Sequence, residues 1–170
     1  MAEDLKILTF GAQALREKAS PVTEINGELK TVIEKMAELM YKVKGLGLAA
    51  NQVGITKRFF IMDISQKEGK PLLEVYINPE ILASEGKTEY EEGCLSIPGY
   101  YAKVERFAKL YIRAFDLEGK SFERELTGLA AIAFQHEFDH LEGILFVDKL
   151  SPLKRELFKN WWKKQLSSKR

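Results

Sequence analysis

Gln135-His136-Glu137-Phe138-Asp139-His140-Leu141-Glu142-Gly143 contains both histidines of the 170-residue chain. Residues four apart lie on one face of a helix, so the side chains of His136 and His140 can bind the same metal ion. Glu137 follows the first histidine and can reach a water molecule on that ion. The alternative is that two unrelated histidines lie close together by chance. The stretch therefore predicts a central metal-binding helix.

Two histidines leave a metal ion short of protein ligands, and the only cysteine of the chain, Cys94, is the candidate for the third. It lies in the loop Glu92-Gly93-Cys94-Leu95-Ser96-Ile97-Pro98-Gly99. A structural zinc site takes four protein ligands, whereas a Cys-His-His set keeps one position open unless a carboxylate closes it. An open position indicates a catalytic metal. The alternative for Cys94 is an inert thiol in the core.

A glycine-rich segment, Gly45-Leu46-Gly47-Leu48-Ala49-Ala50-Asn51-Gln52-Val53-Gly54, precedes both stretches. Its glycines and alanines let a backbone or a ligand approach closely. It lacks the lysine-serine/threonine pair of a phosphate-binding loop, and no strand is expected before it. By itself the pattern is typical of a tight structural loop.

Hydrophobic periodicity elsewhere predicts helices at both ends of the chain and strands between them. Asn26 is expected to cap a first helix that runs to about Lys44, and Thr127 to cap the helix that carries the histidines and stops at Gly143. A last helix is expected from about Pro152 to Gln165. The β segments are expected at 57–64, 72–77, 80–91, 102–115 and 122–126, with a turn at Glu85-Gly86.

Arg106 falls among the inward-facing positions of the segment 102–115, which is unusual for a charged side chain. A buried charge needs a partner, and Glu92 and Asp139 are the nearest acidic candidates by motif. The alternative is a β-bulge that rotates Arg106 outward. The sequence leaves both open.

Composition limits the class of protein. With 45% apolar and 30% charged residues, residues 1–170 are expected to form one ordinary globular domain. The net charge of +1 names no partner, and a single cysteine excludes an internal disulfide. The N-terminus is acidic where a signal peptide would be basic, and no run approaches the length of a membrane span. We expect a cytoplasmic protein with no membrane partner.

The C-terminal residues 151–170 concentrate basic charge. They contain seven basic residues and one acidic residue, a net charge of +6, which leaves −5 for the first 150 residues. Leu150, Leu153, Leu157 and Trp161 recur at helical spacing and are expected to pack on the domain, while Arg155, Lys159 and Lys163 are expected to face solvent. One interpretation is a docked helix with a solvated basic face. The other is a surface that binds nucleic acid.

The three quoted segments resemble, in the same order, the three motifs of the peptide deformylases. The resemblance is carried by Gly45-Leu46-Gly47-Leu48-Ala49-Ala50-Asn51-Gln52, by Glu92-Gly93-Cys94-Leu95-Ser96 and by His136-Glu137-Phe138-Asp139-His140-Leu141-Glu142-Gly143. It implies removal of the formyl group from the N-terminal methionine of new proteins. The fold it implies is α+β, with antiparallel sheets packed around the motif helix.

The resemblance also implies one divalent metal ion per chain, held by Cys94, His136 and His140. Fe²⁺ is the expected ion in the cell, and Zn²⁺, Ni²⁺ or Co²⁺ can occupy the site. Formylated nascent polypeptides are the implied substrates. The ribosome is an implied partner of the basic C-terminal helix, because some relatives are thought to dock on the ribosome by such a helix.

Carried over to this sequence, the family's roles agree with the chemistry of the residues. Glu137 would accept a proton from the attacking water and deliver it to the leaving amine. The amide of Gln52 and the backbone N–H of Leu95 would donate to the oxyanion. Gly47 would let the substrate backbone approach. The remaining expected residues are Leu46, Leu129 and Ile132 in the methionine pocket, and Glu92, Arg106 and Asp139 as partners that orient the ligands.

Two other functions fit parts of the pattern. A zinc peptidase of the His-Glu-His type uses a histidine or glutamate as third ligand, and it would give Cys94 and Gln52 no role. A non-catalytic module stabilised by a metal would not need Glu137, which is not a ligand in this pattern.

Overall fold

The computed structural model describes residues 4–65 and 69–168. Its helices are α1 (Gly27–Lys42), α2 (Gly128–Leu141) and α3 (Pro152–Ser168). Its strands are β1 (Gly47–Ala49), β2 (Phe59–Met62), β3 (Glu74–Glu85), β4 (Thr88–Cys94), β5 (Ile97–Arg106), β6 (Lys109–Phe115) and β7 (Ser121–Thr127). Within the described ranges, no helix is long and apolar enough to cross a membrane.

The strands form two antiparallel sheets, and the predicted α+β class is confirmed. A five-stranded sheet has the order β1-β2-β3-β6-β7, and β4 pairs with β5 in a separate two-stranded sheet. Hairpin neighbours supply most of the pairing, since β6 and β7 are consecutive and β4 and β5 are joined by a turn of two residues. The two sheets are covalently linked at both ends of the β4–β5 unit.

The five-stranded sheet is covered on both faces by helices. Along β2, Phe59 and Ile61 pack in the cluster that contains α1, whereas Phe60 and Met62 pack in the cluster that contains α2. All four side chains are fully buried. A strand buried on both faces is a continuous apolar run, which explains the Phe-Phe-Ile-Met sequence.

A third apolar cluster holds the two-stranded sheet and the C-terminal helix together. Ile97 and Val104 of β5 pack with Leu15, with residues 145–147 and with Phe158 of α3. The ring of Phe158 lies 4.9 Å from that of Tyr100 on β5. This cluster fixes α3 beside the β4–β5 unit.

The turn predicted at Glu85-Gly86 is confirmed, but the bounds of two β segments were wrong. The segments expected at 72–77 and 80–91 are not separate before that turn, because one long strand, β3, runs up to Glu85 and β4 follows the turn. The single strand expected at 102–115 is broken at Phe107 and Ala108, where the chain leaves one sheet and enters the other. The side-chain alternation continues across the break, so periodicity alone could not reveal it.

The helix ends follow the expected positions, with one correction. Asn26 caps α1 by accepting a 2.9 Å hydrogen bond from the N–H of Leu29. Thr127 occupies the N-cap position of α2, but its side chain makes no capping hydrogen bond. Gly143 ends the histidine helix with a φ of 76°, and a Cβ there would lie 2.6 Å from the carbonyl oxygen of Arg16. Glycine is therefore required at that position for two reasons.

The packing face predicted for the C-terminal helix was partly wrong. Leu150 is buried and Trp161 is half-buried, as expected, but Leu153 and Leu157 are exposed to 70% and 56%. The helix instead buries Phe158, with Trp162 beside it, because an aromatic pocket formed with Phe10 receives these rings. Arg155, Lys159 and Lys163 face solvent as expected, and Lys169 and Arg170 lie outside the described residues.

Phe158→Ala and Leu157→Ala, at adjacent positions, test this packing. Phe158 is 1% exposed, so its truncation is expected to cost about 3–5 kcal/mol of unfolding free energy. Leu157→Ala is expected to change it by less than about 0.5 kcal/mol, because the side chain is already hydrated. Urea unfolding followed by fluorescence measures both, and a larger loss for Leu157→Ala would contradict the observed helix orientation.

Candidate metal centre

The structure brings Cys94, His136 and His140 together. Their ligand atoms all lie within 4.8 Å of one another, and the Sγ of Cys94 is 3.4 Å from the Nε2 of His140. Cys94 ends β4, while both histidines lie on α2, so the cluster joins the two-stranded sheet to the central helix. A thiolate and two imidazoles at this separation fit a divalent transition-metal ion such as Zn²⁺ or Fe²⁺.

A carboxylate holds the ring of His136. The Oε1 of Glu92 lies 2.9 Å from the Nδ1 of His136, which leaves Nε2 of that ring free to act as a ligand. Burial by itself raises the pKa of Glu92, but hydrogen bonds from Arg106 and His136 outweigh it and lower the pKa. Glu92 therefore remains a charged acceptor that fixes the imidazole.

Arg106 is buried and connects the sheet to the helix. Its Nε donates to the Oε2 of Glu92 at 2.7 Å and a terminal nitrogen donates to the Oε1 at 2.8 Å, a two-point contact. Its other terminal nitrogen donates to the Oδ2 of Asp139 at 2.6 Å. The alternative of a bulge that rotates Arg106 outward is wrong, since the residue is only 5% exposed.

Glu137 is buried beside the metal cluster. It is 5% exposed, and its Oε1 is buried with no hydrogen-bond partner among the described residues. Burial raises the pKa of Glu137 to about 7. A carboxyl group with that pKa can both accept and release a proton near neutral pH.

Two glycines of the first motif make room for site residues. A Cβ on Gly47 would lie 2.6 Å from the Oε2 of Glu137, so a larger residue would displace the carboxylate. A Cβ on Gly45 would lie 2.7 Å from the Cδ1 of Leu95. Sequence analysis predicted for Gly47 only a role toward substrate, and the contact with Glu137 is an additional reason for glycine.

Gln52 is fixed next to the cluster. Its Oε1 accepts from the N–H of Ala49 at 3.0 Å, and its Nε2 donates to the Oγ of Ser96 at 3.0 Å and lies 3.7 Å from the Sγ of Cys94. Leu95 is the first of the two turn residues between β4 and β5. The side chain of Gln52 thus lies beside the Cys94 thiol, and Leu95 directly follows Cys94 in the chain.

A cavity of about 610 Å³ opens onto this cluster. It is lined by all four residues expected to contact substrate, Leu46, Gly47, Leu129 and Ile132. Sequence reasoning missed other lining residues, among them Val43, Tyr90, Ile97 and Tyr101. It also missed Ser96, which accepts the hydrogen bond from Gln52. These residues adjoin the motifs, but nothing in their spacing distinguishes them from ordinary core or surface positions.

The fold and the cluster define a class, an α+β protein with a candidate site for a divalent metal. Residues 4–156 match the family model of polypeptide deformylase. The chain is 48% identical to a peptide deformylase of Thermodesulfovibrio yellowstonii, over 94% of this chain and 96% of that one. It is 51% identical to peptide deformylase 1 of Shewanella oneidensis, over 91% of each chain.

Solved structures agree with the sequence comparison. A crystal structure of a peptide deformylase from Legionella pneumophila is 42% identical and superposes with a TM-score of 0.89 over 99% of both chains. The chain belongs to the polypeptide deformylase family, metal-dependent hydrolases that remove the N-formyl group from nascent proteins. The predicted family is confirmed, and the interpretations as a zinc peptidase or a non-catalytic module are set aside.

Cys94→Ala is expected to abolish stoichiometric metal binding, because it removes one of three converging ligands and leaves no other cysteine. Metal analysis of the purified protein measures the content, and the wild-type chain is expected to hold one ion. Full metal content in the variant would contradict the assignment of Cys94 as a ligand.

Proposed function

We propose that this chain hydrolyses the N-formyl group of N-formyl-methionyl polypeptides and releases formate. The observation that carries the proposal is the convergence of Cys94, His136 and His140 at a cavity that also contains the buried carboxyl of Glu137. Residues 1–170 act as one catalytic domain, with 151–170 as a basic C-terminal helix and tail. The reaction takes place in the cytoplasm, where polypeptides are made.

Cys94, His136 and His140 are the proposed ligands of one divalent ion. When bound, such an ion acts as a Lewis acid and lowers the pKa of water near to neutrality. Fe²⁺ is the proposed ion in the cell, and Zn²⁺, Ni²⁺ or Co²⁺ are also compatible with a donor set of one thiolate and two imidazoles.

Glu137 is the proposed general base and then general acid. Its raised pKa and unpartnered oxygen support this role, because the carboxylate can take a proton from the attacking water and later donate it to the leaving amine. Gly47 keeps the space above the carboxylate clear.

Gln52 and Leu95 are the proposed donors to the oxyanion. Attack on the formyl carbon places negative charge on its oxygen, and donors aimed at that position stabilise the transition state. The Nε2 of Gln52 carries two hydrogens, of which one is donated to the Oγ of Ser96 at 3.0 Å and the other is directed toward the Sγ of Cys94 at 3.7 Å, so the second lies on the cluster side. The backbone N–H of Leu95 lies in the turn that follows Cys94.

The methionine side chain is proposed to occupy the apolar part of the cavity. Leu46, Leu129 and Ile132 line it, and an unbranched thioether suits a pocket of aliphatic side chains. Glu92, Arg106 and Asp139 are proposed to orient the ligands through the hydrogen bonds described above.

The proposed ribosome contact uses α3. Lys154, Arg155, Lys159, Lys163 and Lys164 are all exposed on it, and Leu153 and Leu157 add exposed apolar surface. Clustered cations attract the phosphates of ribosomal RNA, and the resulting binding weakens as salt increases. The cluster around Phe158 fixes this surface to the catalytic domain.

Glu137→Gln is expected to keep the metal and lower kcat by about 10²–10⁴-fold, the usual contribution of one general acid–base group. The substitution retains the shape of the side chain and removes only its proton transfer. Formate release from a formyl-Met peptide, measured beside metal content, tests the proposed function. A variant with full metal and near-normal turnover would exclude Glu137 from the chemistry.

Gln52→Leu is expected to lower kcat by about 10²–10³-fold, as removal of one oxyanion donor usually does. Metal content is expected to stay unchanged, since the amide nitrogen lies 3.7 Å from the sulfur and is not a ligand. If KM alone changed, Gln52 would position substrate and would not stabilise the oxyanion.

Reversing Lys159 and Lys163 to glutamate is expected to abolish co-sedimentation with ribosomes at low salt. Reversal of Lys30 and Lys42, which are exposed on α1, is the matched control and is expected to leave it intact. Deformylation of free peptides is expected to be normal in both variants, because none of the four substituted lysines lines the cavity. Undiminished co-sedimentation of the first variant would make α3 an ordinary docked helix.

A further inference from the structure

The side chain of Gln135 encloses the backbone of Phe107 between two hydrogen bonds. Its Oε1 accepts from the N–H of Phe107 at 2.9 Å, and its Nε2 donates to the carbonyl oxygen of the same residue at 2.9 Å. The second hydrogen of Nε2 is donated to the carbonyl oxygen of Ala131, also at 2.9 Å. Gln135 is only 6% exposed. We call the paired contact between Gln135 and Phe107 the Gln135 bracket.

The bracket joins two positions that adjoin the metal centre. Gln135 directly precedes His136 on α2, and Phe107 directly follows Arg106 at the point where the chain leaves β5. Arg106 in turn holds Glu92, which fixes the ring of His136. The bracket therefore acts at both ends of the chain of contacts that orients His136.

Apolar packing of Phe107 contributes little to the contact between α2 and the end of β5. The ring of Phe107 is 47% exposed, and Phe107 and Ala108 belong to neither sheet. Hydrogen bonds from a buried amide have fixed lengths and directions, so the bracket sets the position of α2 along β5 more sharply than partial burial of one ring would.

We infer that Gln135 is a positioning residue for the metal centre, which keeps the α2 histidines in register with Cys94 by holding the end of β5. This inference rests on the proposed function, since it presumes that Cys94, His136 and His140 bind the ion. Partners beyond the ligands typically change metal affinity by about 10–100-fold. Loss of the bracket is expected to have an effect in that range.

A second bracket elsewhere in the fold provides a matched control. The side chain of Asn78 on β3 accepts from the N–H of Val22 at 2.8 Å and donates to the carbonyl oxygen of Val22 at 2.9 Å. Asn78 lines no part of the cavity and contacts none of the ligands. Its loss removes two equivalent hydrogen bonds and, since Asn78 has a φ of 49°, a leucine there is also strained, so we expect a loss of stability without an effect on the metal centre.

The test compares Gln135→Met with Asn78→Leu, each an apolar replacement of similar shape. The zinc-loaded proteins are mixed with excess chelator, and Zn²⁺ release is followed with time beside urea unfolding of the same samples. Gln135→Met is expected to release Zn²⁺ about 10–100-fold faster than the wild type. Asn78→Leu is expected to release Zn²⁺ at the wild-type rate, even if its urea midpoint of unfolding falls as far as that of Gln135→Met or further.

A second variant and a spectrum guard against poor folding of Gln135→Met. Gln135→Glu keeps the acceptor for the N–H of Phe107 and loses the donor, so an intermediate release rate is expected. The visible spectrum of Co²⁺-loaded protein, which reports ligand geometry, is expected to change in both Gln135 variants and not in Asn78→Leu.

Wild-type release rates and spectra in both Gln135 variants would overturn the inference. Equal acceleration in Asn78→Leu would overturn it as well, because the effect would then follow general stability. These results differ from failure of the ligand assignment, in which Cys94→Ala would retain its metal.

Discussion

The buried guanidinium of Arg106 is the constraint on which the site depends. A charge removed from water is stable only when it is paired and hydrogen-bonded, and breaking a buried pair by removing one partner typically costs about 3–5 kcal/mol. Arg106 meets that requirement with Glu92 on β4 and Asp139 on α2. The two-stranded sheet and the central helix cannot separate without exposing these charges, and the metal ligands are divided between the same two elements.

The position of the cavity follows from this arrangement. It lies where the edge strand β1, the β4–β5 turn and α2 approach one another, and each contributes one of the three motifs. Glycines at 45 and 47 permit the close approach of Leu95 and Glu137. A carboxyl group enclosed in this way has little water around it, which is the reason that its pKa is raised.

The C-terminal helix is attached to the same region by aromatic packing. The rings of Tyr100 and Trp161 lie 5.0 Å apart, and Tyr100 also lines the cavity. The basic surface of α3 is thus held beside the cavity by aromatic side chains. An enzyme anchored through such a surface would present its cavity to a nascent chain in a defined orientation.

Sequence alone determined the parts of this protein that depend on local spacing. Two histidines four apart, a glutamate between them, a single cysteine and a glycine-rich segment were enough to predict a metal site and to carry the resemblance to the family, and that resemblance implied the α+β class. The helix ends at Asn26 and Gly143 were also predictable, because capping is a local interaction. Tertiary structure decided what depends on distant partners. The alternating segment is broken at Phe107, because sheet membership depends on strands far away in the chain. Arg106 faces inward, because its partners are Glu92 and Asp139. Phe158 is buried in place of Leu157, because distant residues form the aromatic pocket that receives it.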